Sequence, residues 1–292
     1  MNMIASAGPD IPPELLDATG RYAGPLGWNI DRAFLRAEQW LESKFPLWAF
    51  SILEDWAAGE FDHLDTVIFS RGDDSAQRLY YYICELRARG LIAGPEPLIL
   101  DVARIGRVSS LDRSIDAVRA LALRLGVSDA ALEAAIAAHG ARGQAPAGTG
   151  PVCLLGGTPP PDERLHRAIA ETGWHAKGRT LAEVWRGDRA PAERGAGDPC
   201  AALGRRLHAS RSGVRGFYDR SAALIAQARE AEARAVVLWY AEEDEAEIWH
   251  LPSLRGALAE QGIPALALTR RDWRAGDGAP DEIAAFLTGL GA

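Results

Sequence analysis

Cysteine is scarce in this sequence, and what there is forms no pattern. Only Cys84, Cys153 and Cys200 occur, and none belongs to a CxxC pair. An odd, scattered set excludes a disulfide framework and a thiolate zinc site. Cys84 and Cys153 lie in apolar stretches, where a thiol serves as a small buried hydrophobe. Long hydrophobic runs are also missing, so no segment reads as a bilayer span. Met1 to Pro9 has neither the basic nor the apolar region of a secretory signal. A cytoplasmic protein without membrane contact is expected. Positive charge is in deficit: 32 Lys and Arg against 40 Asp and Glu leave a net charge of -8. Such a surface disfavours nucleic acid and anionic lipid as partners. The six histidines form no HxxxH or HExxH, and Ser51, Ser70 and Ser75 lack a GxSxG elbow.

What is present suits a pair of α/β domains. The chain has 292 residues, 48% of them hydrophobic, enough for a substantial core in two domains of ordinary size. Glu14 to Thr19 reads as a short helix ended by Gly20. The spacing of Phe34, Leu35, Ala37 and Leu41 predicts a helix over Arg32 to Lys44, and Ala49 to Ala58 continues helical up to Gly59. Thr66 to Ser70 is a buried strand, Ser75 to Arg89 a helix, and Pro97 to Val102 the next strand. That βαβ unit implies a parallel sheet. Helices follow at Ser110 to Leu125 and Ser128 to His139, with Ser128 as an N-cap.

The small, polar stretch ARGQAPAGTG (141–150) marks a linker, dividing an N-terminal α/β domain with helical extensions (1–145) from a C-terminal α/β domain (146–292). In the second half, strands are expected at Val152 to Leu155, Trp174 to Lys177, Ala235 to Tyr240 and Ala265 to Leu268. Helices are expected at Asp162 to Thr172, Tyr218 to Ala233, Leu254 to Gln261 and Asp281 to Leu290, with Arg186 to Pro199 as loop. The fold class is α/β, with mainly parallel sheets in both domains plus additional helices.

Ligands of open parallel sheets bind beyond the carboxyl ends of the strands. Two such ends carry dense acid here: Asp73 and Asp74, and Glu242 to Glu247. These carboxylates either hold a hard cation or are solvated loop acids and helix N-terminal charges. Gly156 and Gly157 stand where a phosphate loop would begin, but the spacing is not GxGxxG. Pro159, Pro160 and Pro161 remove N–H donors, which favours a stiff turn. Trp40, Trp48 and Trp56 recur at helical spacing and read as core or subunit interface.

An ordered series of segments resembles a known family: IPPELLDATG (11–20), DTVIFSRGDDSAQRLYYY (65–82), ILDVAR (99–104), GGTPPPDERLHRAIAETGW (156–174), AVVLWY (235–240), LPSLRGALAEQGIPALAL (251–268) and DEIAAFLTGL (281–290). Together they are similar to the 2-hydroxyacyl-CoA dehydratase and benzoyl-CoA reductase subunits, dehydratase D-component-like. The resemblance implies two Rossmann-like domains and acyl-CoA thioester substrates. It also implies a heterodimer of paralogous subunits, a [4Fe-4S] cluster on cysteines and an ATP-hydrolysing activator. The family's cluster cysteines fall near Pro46, at Asp73 and near Asp244, none of which is Cys. The expectation is therefore a cluster-less subunit with no cofactor of its own. It binds an acyl-CoA or supports a partner subunit, paralogous or identical, in which a [4Fe-4S] cluster would sit. If it is an enzyme, the class is a lyase or a subunit of an acyl-CoA reductase. Glu14 matches the acidic residue near the substrate and is the catalytic candidate, or else a helix acid with a dipole role. Arg71 is the substrate-binding candidate. The alternatives are a non-redox binding or regulatory protein, and an enzyme using carboxylates at the former cluster site.

Overall fold

The computed structural model describes residues 3–139, 150–187, 192–210 and 218–291. The chain divides into two compact units, Met1–Gln144 with Trp185–Phe217, and Ala145–Val184 with Tyr218–Ala292. Each is a Rossmann-like α/β unit with a four-stranded, all-parallel sheet.

The first unit runs β1 (Met3–Ala7), α1 (Pro13–Asp17), β2 (Tyr22–Pro25), α2 (Leu47–Ala58), β3 (Leu64–Ser70), α3 (Asp74–Ala88), β4 (Glu96–Leu100), α4 (Val108–Leu125) and α5 (Asp129–His139). Its strand order is β2-β1-β3-β4. Val67, Ile68 and Phe69 are fully buried, as befits a central strand covered on both faces. Asp73 caps α3 by accepting from the Ala76 N–H at 2.7 Å. Gly59 (φ 81°) and Gly126 (φ 71°) end α2 and α4 in the left-handed conformation. Ser128 accepts from Ala131 N–H at 3.3 Å, the cap expected for α5.

The helix expected over Arg32 to Lys44 does not form; only a 3-10 turn appears, at Ala37–Gln39. Phe34, Ala37 and Leu41 are buried as the spacing asks, but Leu35 is 73% exposed. The reason is a side chain of α2. Glu54 Oε2 accepts from the N–H groups of Arg36 and Ala37 at 2.8 and 2.9 Å, so these donors are satisfied without a preceding helical turn. Trp48 and Trp56 are core residues, whereas Trp40 sits outside any α-helix.

The second unit opens with β5 (Val152–Gly157), α6 (Arg164–Ala170), β6 (His175–Lys177) and α7 (Leu181–Arg186). The chain then re-enters the first unit with α8 (Pro199–His208) before closing the second with α9 (Arg220–Glu230), β7 (Ala233–Ala241), α10 (Glu245–Ile248), α11 (Leu251–Glu260), β8 (Ala265–Arg271) and α12 (Ala279–Leu290). The strand order is β6-β5-β7-β8, the same pattern as in the first unit.

The expected linker lies, except for Gly150, outside the described residues. The second half is not one contiguous domain over 146–292, because Trp185–Phe217 groups with the first unit. Part of the segment expected as loop leads into α8, whose Leu203 and Leu207 are almost wholly buried with Val118, Leu121 and Leu132. Burying each such leucine contributes about 1.5–3 kcal/mol. Gly204 lets the helices touch: a Cβ there would lie 2.6 Å from Ile115 Cα of α4. No described helix is long and apolar enough to cross a membrane.

Candidate functional site

In both sheets the first and third strands of the unit are neighbours, so the chain reverses its winding direction between them. The carboxyl ends at such a reversal are the usual place for a ligand in this architecture.

In the first unit this end is filled with charge. β1 leads into Gly8, Pro9 and Asp10. Asp10 holds φ 64°, a left-handed conformation that Asp tolerates better than most residues. Its carboxylate pairs with Arg104 from the loop after β4, and both side chains are nearly inaccessible (2% and 4% exposed). Gly72, after β3, leaves room for this pair: a Cβ there would sit 3.1 Å from Arg104 Nη2 and 3.2 Å from Asp10 Oδ2. A second buried pair stands beside α1. Both guanidinium Nη groups of Arg206 on α8 donate to the Glu14 carboxylate, Nη2 to Oε2 at 2.8 Å. Burial would raise the Glu14 carboxyl, but the hydrogen bonds and charge of Arg206 outweigh it and hold the group below the usual range.

Arg71 follows β3 and donates to Asp101 Oδ2. Arg113 of α4 donates to the same oxygen at 2.7 Å. Burial would raise the Asp101 carboxyl, yet the two arginines keep it below its ordinary value. A pocket of about 280 Å³ opens here, lined by Arg71, Gly72, Asp101, Arg104, Ile105 and Arg113 among others.

The corresponding end of the second unit is held by close backbone packing and by hydrogen bonds from uncharged donors to carboxylates. Gly157 (φ 92°) packs against β7 so closely that a Cβ would meet Trp239 O at 2.2 Å. Thr158 Oγ1 accepts from Ala241 N–H at 3.1 Å and donates to Asp244 Oδ2 at 2.5 Å. Trp273 Nε1 donates to Glu243 at 2.7 Å. Burial and the neighbours Glu242 and Asp244 push the Glu243 carboxyl up, against the lowering effect of the Trp273 bond. Glu247 pairs with Arg220 and Glu242 with Arg270. The acid run is thus dispersed among partners. Among the described residues no three His, Cys, Asp or Glu side chains converge as a metal site would require. Gly156 and Gly157, expected as a tight turn, instead end β5 and pair with Leu238 and Trp239 of β7.

The residues singled out from the sequence are therefore spread over both units. Glu14, Pro46, Arg71 and Asp73 belong to the first and Asp244 to the second. Pro46 is the N-cap of α2 and carries no ligand atom. Asp73 caps α3 and Asp244 bonds Thr158. Such a donor set does not fit an iron–sulfur cluster, which takes thiolates. The cysteines do not replace them. Cys153 is buried in β5, its thiol pushed up to about 12 by burial, and Cys200 is buried in α8 with its thiol likewise raised. Cys84 lies on α3, half-buried.

Sequence reasoning missed Asp10, Arg104 and Arg206. A faint signal existed: Asp10 stands between Pro9 and Ile11, and Arg104 interrupts the apolar run after β4. Their partners lie 94 and 192 residues away along the chain, and only the fold joins them. No protein-family model matches the chain, and no curated protein matches it in sequence.

Proposed function

We propose that this chain is a cluster-free subunit of the 2-hydroxyacyl-CoA dehydratase and benzoyl-CoA reductase kind, one that binds an acyl-CoA thioester or supports a cluster-bearing partner. The observation that carries the reading is the state of the three positions aligned with the cluster cysteines. Pro46 occupies the N-cap position of α2 without a side-chain bond, Asp73 caps α3, and Asp244 is engaged by Thr158. The scaffold is of the expected kind, two parallel α/β units of identical strand order, while the redox ligands are replaced by residues with local structural work. The engagement of Asp73 and Asp244 speaks against a hard-cation enzyme at the former cluster site. The bidentate hold of Arg206 on Glu14 favours a positioning role for that acid over proton transfer.

Anaerobic reconstitution with iron and sulfide, followed by metal analysis and electron paramagnetic resonance, tests the first half of the proposal. The expected result is no stoichiometric cluster; about four irons per chain with a reducible spectrum would overturn it. Calorimetric titration with a panel of acyl-CoA esters, on the isolated chain and with any copurifying subunit, tests the second half. Binding is expected. Absence of binding in both preparations would replace this reading with that of a regulatory protein on the same scaffold.

A further inference from the structure

The pocket at the carboxyl ends of β3 and β4 joins Arg71, the substrate-binding candidate, to Arg113 and Asp101, which the sequence did not single out. Its charged lining is Arg71, Arg104 and Arg113 against a single carboxylate, Asp101, on a chain whose net charge is -8. Arg104 is turned inward onto Asp10, which neutralises it. Arg71 and Arg113 behave differently. Their side chains are 41% and 63% exposed, and each meets Asp101 with one Nη group, both at the same oxygen, Oδ2. Arg71 Nε is buried and has no hydrogen-bond partner among the described residues.

A guanidinium presents five donors in a fixed fork that matches the spacing of carboxylate and phosphate oxygens. Here two forks from different elements already converge on one oxyanion oxygen, and most of their remaining donors are not taken up by Asp101. The backbone supports the arrangement. Arg71 N–H is anchored to Leu100 O at 3.1 Å, and Gly72 N–H to Ser70 Oγ at 3.0 Å, so the start of the loop that carries Arg71 is tied to β4 and β3. The volume of about 280 Å³ holds more than a bare ion and less than a nucleotide-sized ligand.

We infer that this pocket binds the oxyanion group of a small molecule, a phosphate monoester or a carboxylate, between Arg71 and Arg113, with Asp101 as the internal counter-ion the ligand displaces. The inference does not rest on acyl-CoA binding; it requires only the two guanidiniums and the pocket. In the free protein Asp101 bridges the two arginines and holds them oriented. An arriving oxyanion takes over their outward donors while the carboxylate moves aside toward solvent, to which it is already one-quarter exposed.

The test uses the full chain, with inorganic phosphate as the probe and chloride at matched ionic strength, read by calorimetry or by chemical-shift change of arginine side chains. Wild-type protein is expected to bind phosphate in the millimolar range. Arg113→Gln removes one fork at an exposed position and weakens binding about tenfold; Arg71→Gln does the same if it folds. Asp101→Asn removes the competing charge and tightens binding about tenfold. A purely structural ion-pair network would not produce that gain. Arg89→Gln, a distant exposed arginine, leaves binding unchanged. Competition with acetate and with a small monoester, methyl phosphate, separates the sources: displacement by acetate as strong as by methyl phosphate assigns the pocket to carboxylates, and displacement by methyl phosphate alone to a phosphate ester. No phosphate binding by either wild-type or Asp101→Asn protein overturns the inference. An equal loss in Arg113→Gln and Arg89→Gln also overturns it, because that would be a general surface-charge effect.

Discussion

The two units share a strand order and an all-parallel sheet, yet they build the same end of that sheet from different forces. In the first, the carboxyl ends of β1 and β4 are bound together by a buried ion pair, Asp10 with Arg104, packed against Gly72 after β3, with Glu14 and Arg206 beside α1. In the second, the ends of β5 and β7 are joined by a glycine approach and a threonine hydroxyl, and an indole N–H ties the residues after β8 to Glu243 after β7. Charges inside protein cost several kcal/mol each unless their partners are in place, whereas a single hydrogen bond contributes about 0.5–3 kcal/mol, the upper end applying to carboxylate acceptors. The first unit therefore has a site whose integrity depends on complete pairs. The second has one that depends on close packing. Topology dictated which strand ends adjoin but not which physics joins them.

Removing one partner of a buried pair is the most damaging way to probe the contrast. Arg206→Ala strands the Glu14 carboxylate, whose side chain is 4% exposed, and should destabilise the first unit by about 3–5 kcal/mol in urea unfolding. Hydrogen exchange should rise first across α1 and α8. The loss should also depend on pH. Because the folded Glu14 carboxyl titrates below its ordinary value of 4.5, its contribution is complete above that pH and fades as pH falls through the folded value. Wild type and Arg206→Ala should therefore converge in acid. A gap that is small at pH 7, or that does not close, would mean the pair is not the anchor described.

In the second unit the sharper probe is steric. Gly157→Ala places a Cβ against Trp239 O, a backbone atom that cannot swing away, at a left-handed φ of 92°. A loss of about 3 kcal/mol is expected, combining dihedral strain with overpacking. Gly20→Ala in the first unit has φ 65° but nothing within 4 Å, and should lose only about 1 kcal/mol. Equal losses at the two sites would show that close approach contributes little.

The smallest expected effect has the opposite sign to that of Glu14. The folded Glu243 carboxyl titrates above 4.5, so its ionised form is disfavoured by folding. Its penalty is absent below the unfolded value and grows as pH rises through the folded one. Glu243→Gln should keep the Trp273 bond and raise stability near neutral pH by no more than about 1 kcal/mol. Thermal unfolding at pH 4 and pH 7 checks this: a stabilisation confined to pH 4 would reverse the argument.

Much of the fold was readable along the chain because the signals were local. β-branched and aromatic runs such as TVIFS and AVVLWY gave β3 and β7, and Ser128 and Gly59 marked helix ends where they occur. Elements without such signals escaped. β1 is five residues, three of them Ala or Ser, and β2 contains Gly24 and Pro25, tolerated because it is an edge strand. The helix expected at Arg32 to Lys44 placed Phe34, Ala37 and Leu41 correctly in the core but not Leu35, and Glu54 satisfied its backbone from another element. α8 lies beyond the second unit's first strands, so nothing nearby in sequence told that it packs on α4.

By itself the sequence determined the α/β class, the parallel sheets implied by strand–helix alternation, and the scarcity of cysteine. These follow from residue periodicity and from which side-chain atoms exist at all. Only the tertiary structure decided that Glu14 faces Arg206, that Asp10 faces Arg104, and that Arg71 and Arg113 share one oxygen of Asp101. Pairing between charges is a matter of distance in space. A carboxylate 192 residues from its guanidinium carries no mark of that partner until the chain has folded back to bring them together.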